Sequence, residues 1–205
     1  MFYRSLVLAK HTRRPQALGF SMVELLVSIG IVVLVLSIVV TRQQAFNSAV
    51  LLRSQVYDIA LAMREVQLGA ISAVSDGGGE FRAVQGIQFD ISADSQSYRL
   101  FRDTVVNNRY YDVGEDIGFA GSLDPRFEVR SIEPSSVGNA LAIVFERPNF
   151  DALFITNSSG NASAISNEPV VTITVGLRDS TGVVCGQDVR QIQVRATGQI
   201  AVLEC

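Results

Sequence analysis

Lysine and histidine are nearly missing: Lys10 is the one lysine and His11 the one histidine in 205 residues. Both lie among the first 19 residues, so a chain beginning at Phe20 would carry neither. Such a chain has no histidine base or metal ligand, no phosphate-loop lysine and no Schiff-base lysine. A G-x-S-x-G nucleophile elbow is absent, and no spacing singles out a pair of catalytic carboxylates. The expectation is a protein without enzymatic activity. Proline is absent from Phe20 through Val74, which removes the commonest helix breaker from that whole stretch.

Charge is unevenly placed. Residues 1–19 hold Arg4, Lys10, Arg13 and Arg14 and no acid, a charge of +4. Of the 17 basic residues, 13 then remain from Phe20 onward against all 20 acidic ones, a charge of −7. An acidic body argues against charge-driven nucleic-acid binding. Two cysteines, Cys185 and Cys205, stand near the C-terminus. In an exported chain they read as one disulfide, worth about 3 kcal/mol for a loop of about 20 residues. A turn at Thr197-Gly198 sets Cys205 opposite a position near Arg190, so the bridge is not a simple hairpin rung.

What is present in abundance is one apolar block. Leu25 to Val40 is a run of sixteen uncharged residues, about 24 Å of helix. Adding 20–23 brings it to the roughly 20 residues a membrane span needs. The basic leader before it and Arg42 after it place the N-terminus in the cytoplasm and the bulk of the chain outside. An ordinary secretory signal would end at a small-residue cleavage site, which does not follow the run. A plain signal anchor gives no reason for Glu24, a carboxylate near the edge of the apolar block. At the middle of a span such a group costs about 2.5–3.5 kcal/mol, and less near the end.

Gly19-Phe20-Ser21-Met22-Val23-Glu24-Leu25-Leu26 resembles the class III signal of type IV prepilins and type II secretion pseudopilins. The resemblance implies cleavage between Gly19 and Phe20 by a membrane prepilin peptidase, followed by N-methylation of Phe20. It implies that the apolar helix is retained, and that Glu24 meets the Phe20 amine of an adjacent subunit during assembly. Other pilin or pseudopilin subunits, an inner-membrane assembly platform and membrane lipid are the implied partners. The implied location is a single-pass protein of the cytoplasmic membrane, then a periplasmic or cell-surface filament.

After the apolar block, Ala49, Leu52, Val56, Ile59, Met63, Val66 and Ala70 recur at steps of three and four. They form a helical stripe expected to pack on the protein's own sheet, with Arg53, Asp58, Arg64 and Glu65 largely off it. Many type IV pilins carry a proline just past the span; here Thr41-Arg42 stands instead. Asp76-Gly77-Gly78-Gly79-Glu80 reads as a connector, lacking the lysine of a phosphate loop. Beyond it, β-patterned runs at 81–91, 97–101, 127–132, 140–146, 152–156, 169–177, 189–196 and 199–203 alternate with turn signals. The expected fold is α+β and pilin-like, one long N-terminal transmembrane helix packed on an antiparallel β-sheet domain. Its segments are 1–19 leader, 20–41 membrane half, 42–75 amphipathic half, 76–80 connector and 81–205 β-rich domain.

Three stretches resemble GspH/FimT-type minor pseudopilins and minor pilins: Gly86-Ile87-Gln88-Phe89-Asp90 with Tyr98-Arg99-Leu100-Phe101, Ile143-Val144-Phe145-Glu146-Arg147-Pro148, and Arg190-Gln191-Ile192-Gln193-Val194 through Ile200. Some members of that group bind DNA through basic residues near the C-terminus; 199–205 carries no arginine, and nucleic acid is not an expected partner. The expected function is a non-enzymatic minor pilin or pseudopilin. The alternatives are the major pilin of the same machine and a pilin-anchored adhesin or substrate-binding module. Asp103, Asn107, Asn108, Asp112 and Glu115 gather oxygen ligands of the kind calcium prefers. Against an EF-hand ending at Glu115, however, Thr104 and Val106 fill ligand positions and Arg109 replaces the glycine. The bland alternative is an acidic loop facing solvent, with no cofactor.

Overall fold

The computed structural model describes residues 19–72, 84–118, 120–146, 149–158, 161–165, 168–178 and 188–203. The leader 1–18, the glycine connector, Cys185 and Cys205 lie outside the described residues. The chain is α+β. It divides into two compact units, Met1–Gln43 and Gln44–Cys205, close to the expected boundary at 41/42. Helix α1 covers Met22–Ile71 and ends a few residues before the expected 75.

In the first unit, Met22–Val40 has a mean hydropathy of 2.9 and none of it is buried in the protein. One helix near the N-terminus is thus long and apolar enough to cross a membrane. Its serines cost little there, because Ser28 Oγ donates to Glu24 O at 2.7 Å and Ser37 Oγ to Val33 O at 2.9 Å.

In the second unit the strands are β1 (Val84–Asp90), β2 (Asp94–Asp103), β3 (Gly121–Ser122), β4 (Phe127–Glu133), β5 (Ala140–Phe145), β6 (Ala152–Ser158), β7 (Asn161–Ala164), β8 (Val170–Leu177), β9 (Val189–Arg195) and β10 (Ile200–Leu203). They form two antiparallel sheets, ordered β3-β2-β1-β5-β6-β7 and β10-β9-β8-β4. The sequence pattern did not foresee the division into two sheets. The stretches Gly86–Asp90 and Tyr98–Phe101 pair directly, with Gly86 opposite Phe101 and Phe89 opposite Tyr98, and Val144 of β5 stands on the other side of Gly86. Glycine is needed at 86, since a Cβ there would meet Val144 Cγ1 at 2.6 Å and the Phe101 ring at 2.7 Å.

Leu52, Val56, Ile59 and Met63 of α1 are fully buried, as the stripe required. They share one apolar cluster with Ile87, Phe89, Ile143 and Phe145 of the larger sheet and Val129, Ile173, Val175 and Ile192 of the smaller. Each such side chain contributes about 1.5–3 kcal/mol by leaving water. Polar ties fix the helix among the loops: Gln67 Nε2 donates to Phe150 O at 3.1 Å and to Gly198 O at 2.9 Å, and Asp124 N donates to Gln55 Oε1 at 3.1 Å. Gly198, with φ 79°, takes the left-handed turn before β10, and a Cβ on it would strike the Phe150 carbonyl oxygen.

Strand β5 is buried on both faces. Leu141, Ile143 and Phe145 face the main cluster, while Ala142 and Val144 join Phe101, Tyr110 and Ile155 in a second one. The cover over that second face comes from the segment between β2 and β3.

Candidate functional site

Two sets of residues carry the functional expectations: the N-terminal signal and the acidic loop. Gly19, Phe20 and Ser21 precede the first helical residue and are exposed. A peptidase acts on chain that is not wound into a helix, and the Gly19–Phe20 bond meets that condition. Neither a left-handed φ nor a close neighbour asks for glycine at 19, where a Cβ would find open space. Nothing within the fold therefore explains that glycine.

Glu24 lies in the first turn of α1, whose opening hydrogen bond runs from Leu25 N to Ser21 O at 3.1 Å. A carboxylate here faces the positive end of the helix dipole, and the Ser21-x-x-Glu24 spacing is that of a capping box. The dipole contribution was legible in the sequence from the place of Glu24 at the start of the apolar run. A cut before Phe20 would add a positive amine in the same region of the chain.

Most of the acidic loop is exposed, as a solvated loop would be, but two of its acids are not. Asp103 and Glu115 are each only 2% exposed. Glu115 Oε1 accepts from Thr104 N at 2.9 Å and Val105 N at 2.7 Å, and its Oε2 accepts from Asp112 N at 2.9 Å. Asp103 Oδ2 accepts from Arg109 N at 2.7 Å, and Asn108 Nδ2 donates to Asp112 Oδ2 at 2.7 Å. Asn107 is exposed. Arg109, standing where an EF-hand has glycine, does take a left-handed backbone with φ 63°. Its guanidinium meets Glu146 Oε2 at 2.8 Å from Nη2. The carboxylates thus close the loop on its own amides, and Tyr110 is carried down onto β5. Among the described residues no three acidic, histidine or cysteine side chains converge as a cation would require.

No family model, no curated protein and no solved structure matches the chain.

One atom of the loop stays unsatisfied: Asp103 Oδ1 is buried without a hydrogen-bond partner. Burial raises the Asp103 pKa above the ordinary carboxylate value, the Arg109 and Asn108 N–H groups oppose the rise, and the Glu115 and Asp112 charges add to it. A raised carboxylate favours the protonated folded state, so its effect on stability worsens as pH climbs from the unfolded carboxylate range through the folded value. Asp103→Asn keeps an oxygen for Arg109 N and removes the buried charge and its repulsion by Glu115 and Asp112. We expect it to raise the melting temperature by about 2–5 °C at neutral pH, a gain that vanishes below about pH 4. Thermal melts of the two proteins across pH check this.

Proposed function

We propose that the chain is a structural subunit of a type IV pilus or type II secretion-like filament, made as a prepilin and without catalytic activity. The observation that supports this most is Glu24, the one charged residue between Phe20 and Val40, following a basic leader and Gly19-Phe20 in order. An anchor alone gains only the modest dipole stabilisation from that carboxylate. Cleavage gives it a partner, because the new Phe20 amine and a carboxylate in a low-dielectric layer attract far more strongly than in water. The pilin-like reading of the fold accords with an apolar N-terminal helix whose following half packs on antiparallel sheets. Within the group, the GspH/FimT-like stretches favour a minor pilin or pseudopilin.

Mass spectrometry of the chain from its native membrane tests the proposal. The expected product begins at Phe20 and is one methyl group heavier than the bare sequence. Retention of residues 1–19 would overturn it.

A further inference from the structure

Helix α1 has a second apolar line that the core does not use. Val50, Tyr57, Leu61 and Leu68 are 53%, 40%, 60% and 64% exposed. At about 100° per residue they fall within about 20° of one line, on the side of the helix opposite Leu52, Ile59 and Met63. We infer that this line is a docking seam for a second copy of the chain, the two helices lying parallel.

Lipid is a poor occupant, because Arg53, Asp58, Arg64 and Glu65 lie in the same stretch, unlike the uncharged run from Leu25 to Val40. The charges instead flank the seam by sign. Arg53 and Arg64 lie on one side, the side on which Arg64 Nη2 reaches Ile200 O at 3.4 Å. Asp58 and Glu65 lie on the other, close enough to Tyr98 that, after burial, their charges help raise its pKa. In a parallel two-fold pair the basic flank of each helix meets the acidic flank of its partner. Arg53 and Asp58 are five residues apart, the offset at which flanking positions face each other across a parallel heptad seam. The surface is therefore complementary to itself. The seam lies on the side of the helix opposite the core stripe, and its apolar residues are open to solvent.

This surface lies outside the signal on which the proposed function rests, and its test reads neither leader removal nor filament growth. Sedimentation equilibrium of the full chain in density-matched detergent should show a dimer. Leu61→Asp should weaken it by about tenfold or more while leaving the thermal melt unchanged. Arg53→Asp and Asp58→Arg should each weaken it, and the double swap, which exchanges the signs of the flanks, should restore it. A monomeric wild type would overturn the inference. So would dimers that survive Leu61→Asp, or single reversals that the double swap does not repair.

Discussion

Cells making Glu24→Ala in place of the native chain should insert and process it normally, yet recover about tenfold less of it, or lower still, in sheared filaments. The reason is an asymmetry between two states. In the monomer, Glu24 is in the first helical turn, where the dipole partly compensates it and alanine costs little. In the proposed assembly, alanine would leave the neighbouring Phe20 amine without a counter-charge in a low-dielectric layer. Glu24→Gln sharpens the measurement. It keeps the size and hydrogen-bonding capacity of the side chain and removes the charge, so a role in local hydrogen bonding predicts rescue and a charge-pairing role does not. Immunolabelling that finds the alanine variant in filaments at the native level would sink the pairing role.

Ile59→Asp should abolish the folded second unit. Ile59 is fully buried where the helix meets both sheets, so the substitution removes its apolar contacts and strands a carboxylate among Val129, Ile143 and Ile173. The cost is on the order of 4–6 kcal/mol, comparable to the whole stability of many domains. Leu61→Asp, two residues further on, is the control, since Leu61 points away from that cluster and is 60% exposed. Far-ultraviolet circular dichroism should show the β signal lost in the first variant and retained in the second. Equal melting of both would mean that the helix does not depend on the sheets for its packing.

The helix stripe was legible because burial on one side of a helix leaves a 3.6-residue period, and six of its seven residues, from Leu52 to Ala70, are buried. The eight strand runs were legible for the same kind of reason: β5 at Ala140–Phe145 and β8 at Val170–Leu177 are rich in branched apolar residues. The two strands that escaped, Gly121–Ser122 and Asn161–Ala164, are short edge strands of small or polar residues with no alternation to detect. The split into two sheets was invisible because β4 follows β3 in the chain but pairs with β8. Local pattern does not encode that jump. The loop 104–118 was misread for a different reason. Asp103 and Glu115 look like surface acids in one dimension, and only three dimensions show that they hold their own backbone amides. The Gly19-Phe20 and Glu24 pattern is linear and needs no third dimension to be seen, whereas the exposed apolar line from Val50 to Leu68 was masked by the stronger stripe behind it.

The Gln67 side chain joins the loop before β6 to the turn before β10, and Ile200 of β10 closes the main cluster. The helix is made before any described strand, yet the residues that finish its apolar bed, on β10, come after all the other described strands. Until then, the buried stripe of α1 has nothing of its own to rest against. Folding of the second unit must therefore await β10, and the nascent chain has its greatest exposure to aggregation or to premature association in that interval.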